Sequence, residues 1–133
     1  MIIKATIQDY VSICRMIQNK KLNYITPALV KQDIINNRLY VLKQNNKIVC
    51  FATRIYCPDF GNYAIKRLCV PNKKNNGKGY AQQMISYLIN TREKAYDLIC
   101  TPWENNFAMR HMLEKNGMCL NYIFNKVWCM YKI

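Results

Sequence analysis

Acidic residues are scarce: seven Asp and Glu stand against twenty Lys and Arg, a formal net charge of +13 over 133 residues. That balance points to an anionic partner and leaves its nature open, since Lys, Asn and Ile are abundant in the way AT-rich coding would produce. Histidine occurs once, at His111, and no two cysteines are spaced as CxxC. A zinc knuckle or a thioredoxin-like redox pair is therefore excluded, and no metal site is expected. Long apolar runs are missing as well; nothing approaches the roughly 20 uninterrupted apolar residues that span a bilayer. Met1-Ile2-Ile3-Lys4 does not open a charged region followed by a long apolar run, so no secretory leader is expected. Repeats, low-complexity tracts and Gly/Ser-rich linkers are absent too. The expectation is one cytoplasmic domain over residues 1–133, with no membrane association.

What is present suits a packed domain. Hydrophobic residues make up 51 % of the chain, enough for a real core. The seven cysteines (Cys14, Cys50, Cys57, Cys69, Cys100, Cys119 and Cys129) fall mostly in apolar runs such as Leu98-Ile99-Cys100. They read as small buried hydrophobes in a reducing compartment, with no disulfide framework.

Local signals give the element order. Ile2 to Thr6 reads as an opening strand, and Thr6 with Asp9 resembles a capping box before a helix marked by Tyr10, Ile13, Cys14 and Ile17. Thr26-Pro27 starts a second helix, which fades at Asn36-Asn37. Leu39 to Leu42 and Ile48 to Ala52 flank Asn45-Asn46, a pair that tolerates positive φ, and form a hairpin. A loop at 57–62 leads to a strand from Tyr63 to Val70. A Lys/Asn/Gly loop then opens a helix with Tyr80, Met84, Ile85 and Leu88 on one face. Asp97 to Thr101 is a short buried strand, and Asn106 to Lys115 a helix stopped by Asn116-Gly117. Two strands fill the tail from Met118. The order β-α-α-β-β-β-α-β-α-β-β indicates an α/β (α+β) domain with a mostly antiparallel sheet.

One segment carries chemistry. After the strand ending at Pro71, the loop Asn72-Lys73-Lys74-Asn75-Asn76 leads to Gly77-Lys78-Gly79 at a helix start. Glycines let the backbone approach a ligand and present consecutive N–H groups, and the first helical turn adds unpaired donors. A phosphate or diphosphate would be held there. The spacing excludes a Walker A loop, because Gly79 follows Lys78 where Ser or Thr is required, and a dinucleotide GxGxxG, because position 82 is Gln82. Lys73, Lys74 and Lys78 either draw an anion to this loop or are a solvated face.

Asn76-Gly77-Lys78-Gly79-Tyr80-Ala81 resembles the Q/R-x-x-G-x-G/A signature of the GNAT acyltransferase superfamily, and Arg67-Leu68-Cys69-Val70-Pro71 resembles its lead-in strand. Downstream, the segment from Asn106-Phe107-Ala108 through Leu113-Glu114-Lys115-Asn116-Gly117 is similar to the superfamily's N-x-A-A-x-x-x-Y-E-K-x-G-F helix. The resemblance runs over essentially the whole chain and implies a central sheet of about seven strands flanked by about four helices. It also implies an N-acetyltransferase that uses acetyl-CoA as co-substrate. Main-chain groups of Cys69 and Val70 would pair with the pantetheine arm, and the amides from Asn76, Gly77, Lys78, Gly79, Tyr80 and Ala81 would cradle the diphosphate. Asn106 would contact the cofactor arm, and a strand N–H would stabilise the oxyanion as an amine attacks the thioester.

Two departures stand out. Asn76 replaces Gln or Arg, and Leu113 stands where many members place the tyrosine that protonates the departing thiolate. His111 does not share the helix face of Leu113, because residues two apart point about 200° apart. Tyr80 and Tyr122 are alternative donors, each with a packing role as its rival reading. Asp59 and Glu104 are the candidate general bases, with plain surface solvation as the alternative. Lys66 or Arg67 lies where some members carry a glutamate, which disfavours a polycationic acceptor. The expected partners are acetyl-CoA and a small-molecule amine or protein amino group, and the chain is a monomer or a homodimer. The competing readings are a CoA-binding GNAT-fold protein with little turnover and a basic module for RNA or another polyanion.

Overall fold

A computed structural model describes residues 1–22, 24–124 and 128–133, with side chains described for all of these except residues 124 and 128–130. Seven strands and four α-helices follow in the expected order: β1 (Ile2–Lys4), α1 (Tyr10–Lys20), α2 (Pro27–Ile35), β2 (Leu39–Gln44), β3 (Lys47–Cys57), β4 (Asn62–Cys69), α3 (Tyr80–Asn90), β5 (Leu98–Cys100), α4 (Phe107–Lys115), β6 (Cys119–Phe124) and β7 (Trp128–Lys132). The strands form one sheet in the order β1-β2-β3-β4-β5-β7-β6. Its described pairings are antiparallel except β4 with β5, which run parallel through Tyr63–Leu98 and Ala64–Ile99. The chain divides into two compact units, residues 1–54 with 67–84 and residues 55–66 with 85–133.

In the first unit the local signals act as their chemistry dictates. The Thr6 amide donates to Asp9 Oδ2 at 2.9 Å, so Thr6 caps a short 3-10 turn and β1 stops at Lys4 rather than Thr6. Thr26 Oγ1 accepts the Leu29 amide at 3.2 Å, with Pro27 in the first turn of α2. Asn45 and Asn46, at φ 53° and 62°, make the tight turn of the β2–β3 hairpin. Ile13, Ile17, Val30, Ile34, Val41 and Phe51 bury their side chains in one core.

The second unit packs Leu98, Ile99, Cys100, Leu113, Met118 and Tyr131 out of solvent. Gly117, at φ 90°, ends α4 in the left-handed conformation that glycine adopts without strain. One cysteine departs from expectation: Cys119 is exposed, whereas Cys50, Cys69 and Cys100 are buried and Cys14 and Cys57 half-buried. Cys119 starts β6, the edge strand, where Leu120, Tyr122 and Ile123 are also exposed. The side chain of Cys129 lies outside the described residues. Among the described residues no helix is long and apolar enough to cross a membrane, and no cluster of His, Cys, Asp and Glu could hold a metal.

Candidate functional site

The glycine-bearing loop belongs to the first unit, between β4 and α3. Asn72 Oδ1 accepts the Lys74 amide at 3.1 Å and starts a 3-10 turn over Lys73–Asn75, which buries Asn75. The chain then turns through Gly77 and Gly79, at φ 79° and 80°, directly before α3. A side chain at either position would be strained, although a Cβ there would meet nothing within 4 Å. The surroundings are open, so the glycines serve backbone shape and access rather than tight packing.

The amides divide into two sets. Asn76 N–H donates to Lys73 O at 3.0 Å and Lys78 N–H to Asn75 O at 3.4 Å, so both are occupied within the loop. Among the described residues, no main-chain carbonyl takes the amide hydrogens of Gly77, Gly79, Tyr80 or Ala81. These are the donors left for a ligand, and they sit where the α3 dipole favours negative charge.

Upstream, Cys69 is buried at the end of β4 and Val70 follows it half-buried. The Val70 carbonyl accepts Lys20 Nζ from the end of α1 at 2.8 Å. That carbonyl still has a second lone pair, but an ammonium already stands beside the strand end expected to meet the cofactor arm. Burial pushes the Cys69 thiol above its ordinary value, with Lys20 opposing the shift.

A cavity of about 950 Å³ adjoins the loop. Its walls come from α1, the β2–β3 turn and the loop after Pro71, all in the first unit. Lys20, Lys43, Lys47, Lys73, Lys74 and Lys78 line it, and Asp9 is its only acidic residue. Asp9 is ion-paired with Lys43 at 2.9 Å. Burial tends to raise the Asp9 carboxyl, but the Thr6 amide and the Lys43 ammonium outweigh it and hold the group below its ordinary value.

The other candidates lie in the second unit, except Tyr80, which belongs to the first. Asp59 is exposed in the turn between β3 and β4, and Glu104 is half-buried in the segment before α4. Asn106 caps α4, its Oδ1 accepting the Met109 amide at 3.2 Å. Leu113 is fully buried, and His111 is exposed. Tyr122 is 48 % exposed, while Tyr80 is half-buried at the start of α3. The buried Tyr131 donates its hydroxyl proton to Glu114 Oε1 at 2.7 Å and accepts Arg110 Nε at 3.2 Å. Burial is the main cause that raises its pKa.

Sequence reasoning missed Asp33. Its buried carboxylate receives Arg38 Nε at 2.7 Å, Thr53 Oγ1 at 3.0 Å and both Nε and Nη2 of Arg67, at 2.9 and 2.7 Å. Arg67 lies in β4 at φ 54°, a left-handed conformation inside a strand. The one available signal was an aspartate at position 33 between the apolar residues Val30 and Ile34 of an amphipathic helix. A buried carboxylate implies partners, though not which ones.

No protein-family model matches the chain, and no curated protein matches it by sequence. Solved structures do match it. A GNAT-family acetyltransferase from Bacillus cereus superposes at TM-score 0.84 with 20 % identity, covering 100 % of this chain and 95 % of that one. One from Streptococcus agalactiae gives 0.83 and 18 %, covering 99 % and 93 %. A chimeric spermidine N-acetyltransferase built in part from the Vibrio cholerae protein gives 0.75 and 13 %, covering 99 % and 92 %.

Proposed function

Because the chain has the fold of the GNAT acetyltransferases, we propose that it is a single-domain acyl-CoA-dependent N-acyltransferase that moves an acetyl group from acetyl-CoA to a primary amine. The observation that carries this reading is the row of unclaimed amides at Gly77, Gly79, Tyr80 and Ala81, in an open, glycine-bent turn at a helix start. A diphosphate fits that chemistry: several N–H donors without main-chain acceptors lie at a helix start, in a loop that carries Lys73, Lys74 and Lys78.

The coenzyme supplies an activated acyl thioester; the residues of this chain supply binding and orientation. The amides at 77 and 79–81 hold the diphosphate, with Lys78 adding positive charge. Cys69 and Val70 present main-chain groups to the arm, as another strand would. The amine attacks directly: a C–N bond forms, the C–S bond breaks, and the amine's proton ends on solvent or on a carboxylate, for which Asp59 and Glu104 are the candidates. Leu113 is buried and apolar, and the Tyr131 hydroxyl is engaged by Glu114 and Arg110, so the proton for the thiolate comes from water or from one of the alternative donors, Tyr80 or Tyr122. Lys66, exposed on β4, disfavours a polycationic acceptor. The acceptor in this reading is a small-molecule amine or a protein amino group in the cytoplasm.

The test is a thermal shift with acetyl-CoA and, in parallel, with an RNA oligomer at two salt concentrations. Stabilisation by acetyl-CoA alone, followed by thiol release when amines are screened, supports the transferase. Stabilisation by RNA alone with steep salt dependence supports a polyanion-binding module. Coenzyme binding without thiol release from any amine marks a fold that keeps the coenzyme and has little turnover.

A further inference from the structure

We propose that the lysine-lined cavity of the first unit is a second anion site, adjoining the glycine turn, that takes a small phosphate-rich molecule carrying several negative charges. Six lysines line it, and the single carboxylate, Asp9, is already paired with Lys43. Lys20 is anchored on the Val70 carbonyl, so one ammonium is fixed in place before any ligand arrives. Among the described residues no carboxylate lies within ion-pair reach of Lys47, Lys73 or Lys74. Uncompensated like charges on one concave wall repel each other, and a polyanion relieves that repulsion.

The cavity adjoins the diphosphate cradle. Lys73, Lys74, Lys78 and Tyr80 line it, so Lys78 and Tyr80 belong to both, but Asn76, Gly77, Gly79 and Ala81 do not line it. Most of its ammonium groups come from outside the cradle, from α1, the β2–β3 turn and the first half of the loop. A cavity of about 950 Å³ is of the size that encloses a small molecule. Asn19, Asn45, Asn46 and Asn72 interleave the lysines as neutral donors. Among the described residues Tyr80 is the only aromatic one in the lining, which favours a compact polyphosphate over a single-stranded nucleic acid, whose bases need stacking platforms.

Tripolyphosphate is the probe, titrated calorimetrically into the wild-type protein, Lys47→Glu and Gly79→Glu, with and without saturating coenzyme A. Lys47 is exposed at the start of β3 and lies outside the coenzyme site, so its reversal leaves the fold and coenzyme binding intact; Lys47→Gln and circular dichroism control for folding. The expected result is one tripolyphosphate per chain, weakened about tenfold in Lys47→Glu. It is weakened by added salt, and it is unchanged in Gly79→Glu and by coenzyme A. Competition between tripolyphosphate and coenzyme A, or loss of both in Gly79→Glu, would make the cavity part of the coenzyme site and overturn the proposal. So would no binding at all, equal binding by Lys47→Glu, or a single-stranded RNA oligomer that outcompetes tripolyphosphate. Failure of the wild-type protein to bind coenzyme A while it still binds tripolyphosphate would count against the transferase reading and leave the second site standing.

Discussion

Arg67 and Asp33, 34 residues apart in sequence, meet through both Nε and Nη2 of the guanidinium on a single carboxylate oxygen, at 2.9 and 2.7 Å. The pair ties α2 to the one left-handed residue of β4. A non-glycine residue at that φ costs about 1 kcal/mol, and the ion pair offsets the cost. The left-handed residue stands two positions before Cys69, where β4 ends. The pair also changes the reading of charge on β4, because Arg67 is committed to Asp33 and only Lys66 remains free to disfavour a cationic acceptor.

Removing the carboxylate should therefore be costly. Asp33→Ala would leave two guanidiniums, with side chains 16 % and 23 % exposed, facing each other without an anion. Urea denaturation should show a loss of about 3 kcal/mol, with Asp33→Asn losing less because it keeps the shape and some hydrogen bonds. A loss below about 1 kcal/mol for Asp33→Ala would show that the network contributes little to holding the fold.

The Asp9–Lys43 pair gives a pH dependence. The Asp9 carboxyl lies below its ordinary value of 3.8 in the folded protein, so the folded state binds its proton less readily than the unfolded chain does. Its contribution is fully present above the unfolded value and is lost as pH falls through the folded one. Melting temperatures measured from neutral to acid pH should fall less steeply at the acid end in Asp9→Asn than in wild type. Parallel acid limbs in the two proteins would refute the assignment.

Cysteine reactivity should follow burial. Burial pushes the Cys50 and Cys100 thiols up to about 12, so neither forms appreciable thiolate at neutral pH. Cys119 is exposed on the edge strand. Brief alkylation of the native protein followed by peptide mass mapping should modify Cys119, with Cys50 and Cys100 labelled only after unfolding. Rapid native labelling of Cys100 would mean that the second unit opens readily.

Most of the element order was legible because it is written in short-range chemistry. Thr26-Pro27, Asn45-Asn46 and Asn116-Gly117 each impose a backbone conformation on their own neighbourhood, and each marks the boundary it signals. The turn before α3 was legible for the same reason: two glycines separated by one residue before a helical pattern mark a backbone that needs positive φ. Contacts made across the fold were not legible. Nothing local ties Asp33 to Arg67, or Lys20 to the Val70 carbonyl 50 residues on. Nor does composition reveal that an arginine will adopt a positive φ. Cys119 was misjudged because an apolar neighbourhood reads the same in a central strand and in an edge strand, and only the sheet order tells them apart. The amides of Asn76 and Lys78 were counted among the cradle donors because their internal acceptors, Lys73 O and Asn75 O, depend on the 3-10 turn.

The central claim concerns the glycine turn, and calorimetric titration of coenzyme A into wild type and Gly79→Glu tests it most directly. A Cβ at Gly79 meets open space, so the substitution costs the fold only the strain of its positive φ, about 1 kcal/mol, while placing a carboxylate among the free amides. Wild type should bind one coenzyme A per chain, and Gly79→Glu should melt near the wild-type temperature and bind none. A folded Gly79→Glu protein that binds coenzyme A as tightly as wild type would contradict the account.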